Sequence, residues 1–235
     1  MAIPKPNRPE YSATIPSTGK RIKYQPFSVK EEKVLILAAE SQDVDEVSNA
    51  ISKVLTNCIT SPAGIKVEEL ALFDIEYLFL RCRAKSVGES VTVKITDPSD
   101  PDYTVDHKIE IDKIQVHRDK NHKDLIEIDD KIKLKMKYPD ISFFSEGVDV
   151  SDVNSGVNTI GRCVSQIVVE DEEYNREDMT DQEVQEWLES LTSAQFGKVR
   201  EFFDTMPRLK HSITLKNKKS GENFTVVLEG LADFF

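Results

Sequence analysis

Apolar and polar positions along the chain change period several times, and each change marks a different kind of element. Ser28-Val-Lys-Glu31 has the form of a capping box, and the helix it opens is predicted to run to about Glu40. Asp43-Val-Asp-Glu46 starts a second helix, with Val44, Val47, Ile51, Val54, Leu55 and Cys58 at helical spacing, ended by Ser61-Pro62-Ala63-Gly64. A third is predicted over 74–86. Its Ile75, Tyr77, Leu78, Phe79 and Cys82 occupy more than one face, which suits a central core helix, and Gly88 is placed as its left-handed cap. The period then becomes two. Val91, Val93 and Ile95 alternate with Thr92, Lys94 and Thr96, predicting a hairpin with 103–111 across a six-residue tip at 97–102. A second strand pair is expected over 125–128 and 131–138, turning at Asp129-Asp130.

Helical spacing returns after residue 139. A helix is predicted over 154–169 and a loop over 170–173. Thr180-Asp-Gln-Glu183 and Thr192-Ser-Ala-Gln195 are two more capping boxes, and Pro207 stops the second of the helices they open. Strands over 211–215 and 224–228 flank a polar tip at 217–221. The fold class expected is α+β, with helical blocks alternating with antiparallel β-hairpins. Three segments follow from this: an extended Pro-rich arm over 1–20, helices then hairpins over 21–138, and an acidic helical segment with a closing hairpin over 139–235. The last two are expected to form one compact body. The arm carries Pro4, Pro6, Pro9 and Pro16 with few apolar residues, so beyond a short hairpin pairing 11–15 with 21–27 it is expected to stay mobile, the alternative being that it lies across a partner.

Charge refines this picture. The 235 residues include 42 acidic and 31 basic side chains, a net charge of −11. Between Glu146 and Asp204 there are 15 acids and 4 bases, so that segment accounts for the whole excess. Acidity argues against nucleic acid and against anionic membrane surfaces as partners. The longest purely apolar stretch, Val34-Leu35-Ile36-Leu37-Ala38-Ala39, is far below the roughly 18 residues of a membrane span. The first residues lack the apolar core of a secretory signal. Cys58, Cys82 and Cys163 form no CxxC pair, which suits a reducing cytosol and thiols used as small core residues.

Candidate chemistry is sparse. No nucleophile elbow, Cys–His pairing or phosphate-cradling loop is present. His117 and His122 lie in a polar stretch, expected to be a solvated loop, and zinc needs three or four convergent ligands. Glu170–Glu173 and the Asp97, Asp100, Asp102 group lack the calcium-loop spacing. No catalytic residue, cofactor, metal or small-molecule substrate is therefore expected. An enzyme built on carboxylates that sequence cannot recognise is the main alternative from another class.

Two features point to protein contacts instead. Lys131, Lys133, Lys135 and Lys137 alternate with Ile132, Leu134, Met136 and Tyr138, so a strand would set the four ammonium groups on one face. That face is either an ordinary solvated surface or a docking stripe for an acidic surface, this protein's own Glu146–Asp204 segment or another subunit; nucleic acid fits less well because no aromatic residues interleave. The doublets Phe143-Phe144, Phe202-Phe203 and Phe234-Phe235 are the second feature. Leu231, Phe234 and Phe235 must be buried, in the chain's own core or in a partner's groove.

Several motifs in order resemble the baseplate proteins of T-even-type contractile-tailed phages. They are Phe27-Ser-Val-Lys-Glu-Glu-Lys-Val-Leu35 with Ala38–Ser41, Phe73–Ala84 with Ser86–Glu89, Lys137-Tyr-Pro139, Phe202–Pro207 and Gly230–Phe235. The resemblance implies a non-enzymatic hub subunit or hub-assembly factor whose partners are other phage baseplate or hub proteins. It places the protein in the host cytoplasm during assembly and at the virion baseplate. Some members carry cysteine pairs near the hairpin tips; the tips here do not, so no metal staple is expected.

Overall fold

The computed structural model describes residues 6–145, 153–170 and 172–234, and divides the chain into two units. Met1–His117 and Arg208–Phe235 make the first, and Arg118–Pro207, inserted between them in sequence, makes the second. All strand pairs are antiparallel among the described residues, so the α+β class with hairpins is the one observed.

The first unit begins with β1 (Tyr11–Thr14) and β2 (Arg21–Tyr24), paired as the predicted hairpin. The arm is not a free segment beyond that: Ile15 is buried, Ser17 donates its backbone N–H to Asp74 Oδ1 at 2.8 Å, and Arg8 donates to the Pro26 carbonyl at 2.8 Å. These contacts tie the arm to its own unit from Arg8 onward. Helix α1 (Val29–Ser41) opens on the Ser28–Glu31 capping box, with the Ser28 N–H donating to Glu31 Oε2 at 2.8 Å. Asp43 caps α2 (Val44–Cys58), and β3 (Ile59–Ser61) then joins β2.

Helix α3 (Leu72–Ser86) is the central helix its composition predicts, with Phe73, Ile75, Leu78, Phe79, Leu80 and Cys82 all buried. Its end differs from the prediction. Val87, in the right-handed region, donates to the Arg83 carbonyl, and Gly88 has no positive φ. The chain moves straight into a strand here and needs no left-handed residue. β4 (Ser90–Asp97) and β5 (Asp100–Glu110) pair up to Asp97 opposite Asp100, so the tip is Pro98-Ser99, shorter than the six residues predicted. The polar tip residues are absorbed into the ladder because Asp97 finds a buried partner, described below. β6 (Gln115–His117) ends this part of the chain.

In the second unit, β7 (Leu125–Glu127) and β8 (Ile132–Met136) form the predicted pair. Helices α4 (Ser142–Ser145) and α5 (Val153–Arg162) follow. The predicted 154–169 helix stops at Arg162, and Val164–Val169 is strand β9, paired with β8. β-Branched Val164, Ile167, Val168 and Val169 favour the pleated surface over a helix, where their χ1 is confined. β10 (Glu172–Asn175) occupies part of the predicted 170–173 loop. Helices α6 (Asp181–Glu189) and α7 (Ser193–Thr205) start at the Thr180 and Thr192 capping boxes. Sheet order is β10-β9-β8-β7. The sequence boundary at 138/139 thus falls between two strands that pair, because pairing partners are chosen in space. His122 corrects another expectation. It is buried, its ring nitrogens 3.0 Å from the Thr205 and Tyr138 hydroxyls, with Phe202 packed against it.

The chain returns to the first unit with β11 (Arg208–Lys216), which pairs with β6, and β12 (Asn223–Glu229). Asn217 joins the two hairpin tips. It is buried and donates to Asp97 Oδ2 at 2.8 Å and Asp100 Oδ2 at 3.3 Å. A 3-10 turn over Leu231–Phe234 ends the described chain.

Candidate protein-binding surface

Strand β8 lies inside its sheet, and the alternation of its residues assigns one face to each chemistry. Leu134 and Met136 enter a core built with Val164, Ile167, Val184, Leu188, Val199, Phe202 and Phe203, and Ile132 packs at its margin. Lys131, Lys133, Lys135 and Lys137 are all exposed. On their side of the sheet, register sets Lys133 between Glu127 and Val168, and Lys135 between Leu125 and Gln166. The outermost strand adds Glu173 and Asn175 to this face, both accepting from Gln166 Nε2 at 3.0 Å.

The row is firmly mounted. Asp129 Oδ1 accepts from the Lys131 and Ile132 N–H groups at 2.9 Å each, and those bonds hold its carboxyl below the usual range. Gln195 donates to the same carboxylate, and Lys198 Nζ caps the Glu127 and Ile128 carbonyls at 3.0 and 2.9 Å. The β7–β8 turn is thereby tied to α7. Lys131 pairs with Glu170, and both flank a groove of about 300 Å³ with Asp130, Lys133 and Val168. Lys133, Lys135 and Lys137 have no ion-pair partner among the described residues. The surface is a basic centre rimmed by acids.

The closing residues are placed elsewhere. Leu231 and Phe234 are buried in the first unit, and Phe235 lies outside the described residues. Glu76 on α3 accepts the Leu231 N–H at 2.9 Å. Gly230, at φ +72°, makes that approach possible, since a Cβ there would sit 3.2 Å from Glu76 Oε1. Burial raises the Glu76 carboxyl to about 7. Phe143, Phe202 and Phe203 are buried in the second unit; the Phe144 side chain and the acidic residues 146–152 and 171 lie outside the described residues. The lysine row and the closing residues belong to different units.

Sequence reasoning missed Asp74 and Glu76, whose carboxylates are sealed inside α3's surroundings, and it missed the exposure of Val34, Ile36 and Leu37 on α1. Helical spacing within 74–86 marked both acids as lying on an apolar helix, which was the available signal. Among the described residues no three His, Cys, Asp or Glu side chains cluster as a metal ion requires, and no helix is long and apolar enough to cross a membrane.

No curated protein and no solved structure matches the chain. Residues 8–235, however, match the family described as T4 bacteriophage base plate protein, and the chain belongs to that family, with a structural role in the phage baseplate.

Proposed function

We propose that this protein works without enzymatic chemistry, as a baseplate hub subunit or hub-assembly factor that acts by contact with other baseplate proteins. The observation that carries the reading is the exposed lysine row, Lys131 to Lys137, on a strand whose alternate residues are locked in the core. A rigid charged face of this kind gives orientation and association rate to a protein partner. The buried ionisable groups support the same reading. Asp74, Glu76 and His122 are each engaged by neighbours within their own unit, as groups that hold the fold together. The setting is the host cytoplasm during assembly and the tail baseplate of the virion, with no nucleic acid, membrane or small-molecule substrate required.

Co-expression with hub components followed by affinity capture tests the proposal. The wild-type chain is expected to retain a defined baseplate protein, and Lys133→Glu with Lys135→Glu to weaken that retention about tenfold. Failure to form a complex with any baseplate protein would sink the proposal. Mass spectrometry of purified virions separates its two forms, since a subunit is present at fixed stoichiometry and an assembly factor is lost.

A further inference from the structure

Helix α1 carries the longest apolar stretch in the chain, yet only Ala38 of its thirteen residues is buried. Val29, Ile36 and Leu37 are 67%, 51% and 65% exposed, and Val44, the first residue of α2, is 43% exposed. At about 100° per residue, Val29, Lys33, Ile36, Leu37 and Glu40 share one arc, with Ala38 on the opposite side of the helix. Aliphatic residues grouped on one helix face in water mark a contact surface.

We propose that this face binds a second copy of the same chain, with the two α1 helices antiparallel about a two-fold axis at the Ile36–Leu37 step. The choice of partner comes from the order of the exposed residues, which is self-complementary about that step. Antiparallel pairing there sets Ile36 against Leu37 of the second copy and Lys33 against Glu40, all within α1. Every pair is apolar with apolar or positive with negative. A parallel arrangement would oppose like charges, and a two-fold contact uses each pair twice. Lys33 and Glu40 have no ion-pair partner in their own chain among the described residues, so both are free for this use. Their long stems cover the aliphatic residues beside them. A pair of thirteen-residue helices buries less than the ~1,600 Å² of a standard interface, so the association is weak, with Kd on the order of 10–100 μM.

Sedimentation velocity of the full chain over a micromolar to sub-millimolar range tests this directly. The wild type is expected to pass from monomer to dimer with concentration. Lys33→Glu alone and Glu40→Lys alone each oppose like charges twice and should raise Kd about tenfold or more. An equimolar mixture of these two variants restores both pairs in a heterodimer, as does the double variant with itself. Both should return to within about threefold of wild type. The positions are exposed, and circular dichroism checks that each variant is folded. A wild type that stays monomeric overturns the proposal, as does a dimer indifferent to both reversals. Failure of the mixture and of the double variant to recover would overturn it as well.

Discussion

Phe234 shows how much one side chain near the end of a chain can anchor. Its ring is 0% exposed, held beneath a turn whose Leu231 N–H is bonded to Glu76 and whose Asp233 accepts the Glu229 N–H at 2.7 Å. Phe234→Ala should lower stability by about 3–5 kcal/mol in urea unfolding, and removal of Leu231–Phe235 should impair folding. Soluble, fully stable truncated protein would contradict this assignment. Glu76 gives the same turn a pH dependence. Burial raises its carboxyl from 4.5 to about 7, with Glu229 adding to the rise, and the Leu231 N–H and Arg208 opposing it. The folded chain holds a proton there that the unfolded chain releases, so the contribution is fully present below pH 4.5 and is lost as pH climbs towards 7. The loss is about 3 kcal/mol by pH 8, and Glu76→Gln, which keeps an acceptor for Leu231, should remove it. Parallel pH–stability curves for the two proteins would refute that account.

Elements are joined here by single polar clamps as much as by cores. Asn217 ties the β4–β5 tip to the β11–β12 tip through Asp97 and Asp100, while Tyr103 packs edge-on against Phe224 nearby. Asn217→Ala would leave the buried Asp97 carboxylate without that donor, at a loss of about 1–3 kcal/mol read from thermal or urea unfolding. A neutral result would mean the tips are held by packing alone. The helices were legible in sequence because capping boxes are local: Ser28–Glu31, Thr180–Glu183 and Thr192–Gln195 each close over three residues. The 153–169 region was not, since a short run of β-branched residues after a helix becomes a strand only when another strand receives it. Strand β8 is that receiver.

At the scale of the molecule, the acidity belongs to one unit. Arg118–Pro207 holds 21 acidic and 11 basic side chains, which is −10 of the net −11. Like charges gathered in one small unit repel, and salt screens them within about 10 Å at 0.1 M. Trp187, the single tryptophan, lies in this unit and packs at its core, so its fluorescence reports this unit's unfolding. The urea midpoint followed by Trp187 should rise between low and moderate NaCl, whereas Phe234→Ala should leave that midpoint nearly unmoved. Identical shifts in the fluorescence and circular dichroism transitions of Phe234→Ala would instead mean that the units unfold together.

The sequence by itself determined the fold class, the capped helix starts, the β1–β2 and β4–β5 hairpins and the two faces of the lysine strand. Each of these follows from spacing within a few residues, where chain connectivity already places the interacting groups together. Tertiary structure decided which strands share a sheet, where the chain divides, and which apolar residues are covered. Phe234 is sealed in its own unit while Ile36 and Leu37 on α1 remain in water, although all three are equally apolar on paper. Burial depends on neighbours brought from distant parts of the chain, and hydrophobicity alone does not say whether those neighbours arrive.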